Sequence, residues 1–164
     1  MTLAEYVKKR NGVPIGHPQS LAKNLYRALG AKNFSSFWNF WNPIFGYYLS
    51  KKIFKPIKHF LPTSISLIVT FVFCGLIHDT VTLLFRGQTS FLFSYWFLIM
   101  GTVVLISNYF KQDLAQHRWI IRCTSNLFIM LICLCFAYFL SRSLNINLSF
   151  FKLVNLKIYF STLE

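Results

Sequence analysis

Acidic side chains are almost missing. Glu5, Asp79, Asp113 and Glu164 are the four carboxylates in 164 residues, and residues of either charge make up 13% of the chain, where a soluble globule carries about a quarter. That scarcity excludes an ordinary water-facing surface. No CxxC pair occurs among Cys74, Cys123, Cys133 and Cys135. Three of the four lie in apolar runs, so they read as reduced core or lipid-facing residues and not as a disulfide framework. There is no GxSxG sequence, no internal repeat, and no zinc-knuckle or RNA-binding aromatic signature, which leaves nucleic acid out as a partner. His17, His59 and His117 fall in polar or basic stretches, and no metal-ligand spacing joins them. The first 30 residues have no apolar h-region, so no signal peptide is expected.

What is present is grease and positive charge. Hydrophobic residues make up 55% and aromatics 19%, with a mean hydropathy of +0.49. This is the composition of an integral, multi-pass membrane protein. Against the four acids stand 17 lysines and arginines, set beside long apolar runs, where they suit anionic lipid headgroups.

Residues 1–34 read as a basic arm, with Ser20 capping a short helix that ends at Gly30. Residues 35–164 read as the membrane domain. In it Thr63–Phe85, Phe91–Phe110 and roughly Ile120–Leu140 are each long enough to cross about 30 Å of hydrocarbon at about 1.5 Å per residue. The tail 145–160 fits either an interfacial helix or a partial fourth segment. The expected fold is therefore all-α, with about three transmembrane helices plus interfacial ones. Ten of the 17 basic residues precede the first span, which places the N-terminus and the Lys111–Trp119 loop in the cytoplasm and Arg86–Ser90 opposite.

Three features bear on chemistry. His78 and Asp79 are adjacent inside the first span. Titratable groups at membrane depth read as functional by default, and the alternative is that the pair marks the end of a shorter span. Histidine is the side chain suited to moving a proton near neutral pH. Cys74, one turn earlier, is spaced for a couple with His78 but has no further support. The second feature is the aromatic stretch "SSFWNFWNPIFGYYL", residues 35–49. There Asn42 before Pro43 reads as an N-cap with proline at the first helical position, and Trp38, Trp41, Tyr47 and Tyr48 suit an interfacial belt. The third is the run Lys51, Lys52, Lys55 and Lys58, suited to phosphates or to lipid headgroups.

Taken in order, "FWNFWNP", "IFKP" and "FVFCGLIHD" resemble the membrane-bound O-acyltransferase (MBOAT) family. The likeness is to the branch with the sterol and diacylglycerol acyltransferases, and it covers Phe37 to Thr80. The family pairs an asparagine in an aromatic stretch with a histidine in a membrane helix; here 36 residues separate Asn42 from His78. The resemblance implies transfer of an acyl group from acyl-CoA, as co-substrate and not resident cofactor, to a hydroxyl acceptor. It implies His78 as general base and Asn42 as a hydrogen-bonding partner, with Asp79 where the sterol branch often carries an acid. The lysine run would attract the CoA phosphates. Full-length members have many more spans, so the chain looks like the C-terminal catalytic portion alone: a compact member, one piece of a split enzyme, or a remnant without activity. That leaves room for a partner membrane subunit or a homo-oligomer. The alternative readings are a non-catalytic subunit or inactive remnant, and a small proton-coupled transporter.

Overall fold

The structure, a computed structural model, describes residues 1–144, 146, 148 and 149. It is an all-α, multi-span assembly. Helices α1 (Leu3–Asn11), α2 (Ser20–Leu29), α3 (Phe34–Phe40) and α4 (Pro43–Leu49) lead through a π-helical turn (Ser50–Phe54) into α5 (Lys55–Lys58). Three long helices follow: α6 (Thr63–Arg86), α7 (Leu92–Tyr109) and α8 (Trp119–Leu144). All three are long and apolar enough to cross a membrane.

Helix α1 lies in the basic arm, ahead of the helix expected from Ser20, and its cause is a capping box. The Glu5 amide donates to Thr2 Oγ1 at 3.3 Å and the Thr2 amide to Glu5 Oε2 at 2.8 Å. The Thr2 amide holds the Glu5 carboxyl below its ordinary range. Gly12, at φ 83°, ends the helix. Helix α2 ends at Gly30 as expected, but Ser20 is not its cap. Gln19 takes that position without a side-chain bond, and the Ser20 hydroxyl instead receives the Asn11 amide at 2.6 Å. Gly30 is required by close approach: a Cβ there would collide with the Trp119 indole, which donates to the Tyr26 carbonyl at 3.0 Å.

The π-helical turn has a local cause. Pro56 has no N–H and its ring crowds the carbonyl four residues back, so the helix widens over the preceding turn. Pro62 then precedes α6. Along α6 the hydroxyls of Thr70, Thr80 and Thr82 donate to the carbonyls four residues earlier, at 2.7, 2.7 and 2.9 Å. This is how hydroxyls are satisfied where no water is at hand. The outer faces of the long helices are apolar; Phe85, Phe128 and Phe139 are exposed.

The α6–α7 hairpin turns at Gly87 (φ 71°). It carries a two-residue strand β1 (Gln88–Thr89), which pairs antiparallel with β2 (Leu148–Ser149). Apart from β2 and Ile146, the tail expected as an interfacial helix or partial span lies outside the described residues. The opposite end of the bundle is pinned to the arm. Lys32 Nζ meets Asp113 Oδ2 at 2.6 Å, Asn33 donates to the Gln112 carbonyl at 3.0 Å, and the Leu114 amide donates to the Lys32 carbonyl at 2.8 Å. The Lys32 bond, with the Ala115 amide, holds the Asp113 carboxyl below its ordinary 3.8. Asn126 of α8 donates to the carbonyls of Leu29 and Ala31 at 2.9 and 3.0 Å. The arm and the Lys111–Trp119 loop therefore sit at one end, and the Gln88–Thr89 turn at the other.

Candidate functional site

Residues 78 and 79 share a helix but face different ways, because successive helical positions are turned by about 100°. Asp79 is 2% exposed and points into the α6–α7 contact. Its Oδ1 accepts from the Thr89 hydroxyl (3.1 Å) and the Phe93 amide (3.2 Å), and its Oδ2 from the Ser94 amide (2.7 Å) and hydroxyl (2.6 Å). The two amides are orphan donors in the first turn of α7. The residue at the cap position, Phe91, is left-handed at φ 57° and has no side chain able to serve them. Asp79 thus caps α7 from a neighbouring helix. The carboxylate is committed to four donors, none of them His78. Gly75, one turn earlier, lets the backbones meet: a Cβ there would lie 2.6 Å from Ser94 Cα and 2.7 Å from the Phe93 carbonyl oxygen.

His78 sits on an exposed face of α6. Its ring stacks on Phe97 (centroids 5.4 Å apart, planes 17°) and leans on Phe93 (5.4 Å). Among the described residues its imidazole makes no hydrogen bond. It is a shelved, unspent acid–base group, and α6 continues past it to Arg86. Cys74 is buried in the core cluster and no hydrogen bond joins it to His78.

The ring contacts continue from Phe97 to Trp38 of α3 (5.8 Å), from Trp38 to Phe37 (5.2 Å), and from Phe37 to Trp41 (5.3 Å), the residue before Asn42. Trp38 is therefore half-buried, packed against the core cluster. Its indole N–H is buried without an acceptor, a donor that composition and spacing gave no means of singling out. Trp41 and Tyr48 are exposed, as a belt would require.

Asn42 takes the N-cap position of α4, its Oδ1 accepting from the Phe45 amide at 3.2 Å. Its backbone is left-handed (φ 39°, ψ 71°). A residue before proline is barred from the right-handed helical region, and asparagine tolerates the left-handed one. Its Nδ2 makes no hydrogen bond among the described residues. Asn42 opens on a cavity of about 470 Å³ between α4 and the arm, shared with Asn11, Ser20 and Asn24; His78 is not in that lining. The structure thus connects Asn42 to His78 through aromatic packing and not through a common cavity. Both cap terms predict a graded response at this position. Asn42→Ala should cost about 1–2 kcal/mol of thermal stability, and Asn42→Gly, which keeps the left-handed backbone, only a few tenths.

Lys51, Lys52, Lys55 and Lys58 are all exposed on the π-helical turn and α5. Lys51 lies over the Tyr47 ring at 5.5 Å and donates to its hydroxyl at 3.3 Å. No cluster of metal-ligating side chains occurs among the described residues. No protein-family model, curated protein or solved structure matches the chain.

Proposed function

We propose that the chain is the catalytic portion of a membrane-bound O-acyltransferase, moving an acyl group from acyl-CoA to a hydroxyl. The observation that carries this reading is the placement of His78. It is an imidazole with no hydrogen-bond partner among the described residues, stacked on Phe97 and leaning on Phe93 on a membrane-spanning helix, two ring contacts, through Phe97, from the "FWNFWNP" stretch whose order and spacing resemble the family. His78 takes the proton of the acceptor hydroxyl as that oxygen attacks the thioester carbonyl; the tetrahedral oxyanion collapses and CoA leaves as the thiol. The resemblance gives Asn42 the hydrogen bond that would orient the acceptor or receive the developing negative charge, and for that its free amide, which opens on a separate cavity, must be brought to the His78 face. The exposed lysines between α4 and α6 draw the anionic donor toward the arm end of the bundle.

Membranes carrying the chain, given labelled acyl-CoA and a panel of lipid alcohols, should accumulate an alkali-labile labelled ester. Loss of that product in Asn42→Gly, with the protein still folded and inserted, would assign the amide a role beyond the cap. Full turnover in Asn42→Gly would remove that role. In this reading the arm is cytoplasmic and the hairpin turn faces the other compartment. Cysteine labelling at Lys8 and Gln88 should therefore report opposite sides of sealed vesicles, and labelling of both from one side would refute the orientation.

A second reading, a structural subunit, is favoured by Asp79. The carboxylate is wholly occupied in holding α6 to α7, a role that needs no substrate.

A further inference from the structure

Arg27 of α2 is a half-buried cation of the arm. Its guanidinium lies over the Phe40 ring at 5.2 Å and fills the space left by the missing side chain of Gly12, where a Cβ would sit 2.8 Å from Nη1. Gly12 is left-handed at φ 83°, so the backbone turn favours glycine there, and the guanidinium lies in the space a side chain would take. Despite this placement, Arg27 has no ion pair or hydrogen bond among the described residues, where Lys32–Asp113 is the one salt bridge. Glu5, the acid on the neighbouring α1, is occupied by the Thr2 capping box.

Arg27 lines a cavity of about 600 Å³ between α1 and α2. Lys23, one turn earlier on the same helix face, lines it too, with the amide of Gln19 one turn before that. No carboxylate is in the lining. At its wall Asn11, 1% exposed, donates its NH2 to the Ser20 carbonyl and hydroxyl and leaves Oδ1 without a donor. Tyr26 forms one edge, braced by stacking on Trp119 at 5.2 Å.

We propose that this cavity binds a phosphate ester, with Arg27 and Lys23 on the phosphate oxygens. A fixed, unpaired guanidinium suits the bidentate geometry of phosphate, and a flexible ammonium adds charge beside it. Asn11 of the wall keeps an oxygen without a donor. The proposal rests on the acyl-transfer reading for its source: the nucleotide end of acyl-CoA carries both phosphate and an exocyclic amine. It moves the docking point for that end away from the exposed lysines of the π-helical turn and α5. An anionic lipid headgroup offers the same phosphate chemistry.

Direct binding tests the site without any catalytic readout. The full chain, purified in uncharged maltoside micelles, is titrated calorimetrically with adenosine 3′,5′-bisphosphate and separately with dioctanoyl phosphatidylglycerol. Lys23→Gln and Arg27→Gln should each weaken binding about tenfold or more, the size of one charge-assisted contact. Lys23 is exposed, so its variant folds even if the Arg27 variant loosens the arm. Loss confined to the nucleotide supports the site and its link to the donor. Loss confined to the lipid supports the phosphate site and assigns it to the membrane surface. Unchanged affinity for both ligands in Lys23→Gln, or a loss that instead follows a Lys52→Gln, Lys55→Gln, Lys58→Gln triple variant, overturns the proposal.

Discussion

Asp79→Ala should unlatch α6 from α7 and lower stability by about 3–5 kcal/mol. The carboxylate accepts from two first-turn amides of α7 and from the hydroxyls of Thr89 and Ser94. Its removal leaves these donors without their acceptor, at about 1–3 kcal/mol for each that finds no substitute in the protein or in the cavity beside them. Asp79→Asn keeps one acceptor oxygen and should cost about half as much. Gly75→Ala acts on the same contact from the other side. Its Cβ would press on backbone that cannot rotate away, so α7 must shift, at about 1–3 kcal/mol. Because both substitutions separate the same two helices, the double variant should cost clearly less than the sum of the singles. Unfolding midpoints in mixed micelles measure all three. Strict additivity, or an Asp79→Ala variant as stable as the parent, would show that the carboxylate is not the latch.

How far the sequence reaches is clear from these residues. The three spans follow from run length, and their ends moved by only a few residues, to Arg86, Tyr109 and Leu144. The cap at Asn42 followed from its neighbour Pro43, because both constraints on Asn42 are local. Thr2 and Glu5 carried the signal for α1 in the same local way. Ser20 could not be judged locally: the partner of its hydroxyl, Asn11, lies nine residues back across a turn. Asp79 was opaque for the same reason. Its four donors come from 10 to 15 residues away, beyond the hairpin. The adjacency of His78 and Asp79 suggests a couple, whereas helical rotation sends one to the outer face and the other into the helix contact. Trp38 and Trp41 look alike in the sequence. Only the packing of α3 against α7 sets the first against the core cluster and leaves the second exposed.

His78→Ala is the variant with the largest expected functional effect. A positioned general base contributes about 10²–10⁴-fold, equivalent to about 3–5 kcal/mol of barrier. The same substitution should leave the fold nearly intact. The imidazole makes no hydrogen bond among the described residues, and what is lost is its stacking on Phe93 and Phe97, about 0.5–1.5 kcal/mol for each pair. Removing a polar group from an apolar span favours insertion, so a rate loss could not be assigned to failed assembly. Asp79→Ala should lose rate and stability together, because it releases the α7 helix that carries both supporting rings. His78→Ala should lose far more rate than stability. The two adjacent substitutions therefore separate a group that reacts from a group that positions.

The most direct measurement is the rate of thiol release from acyl-CoA, followed together with labelled ester, in membranes holding equal amounts of wild type, His78→Ala and His59→Ala. His59 lies outside the long helices, at the end of α5. The account predicts ester and thiol in equal yield from wild type and His59→Ala, and a fall of about 10²–10⁴-fold in His78→Ala. A wild-type rate in His78→Ala, or no thiol release by wild type across the panel of hydroxyl acceptors, would contradict it.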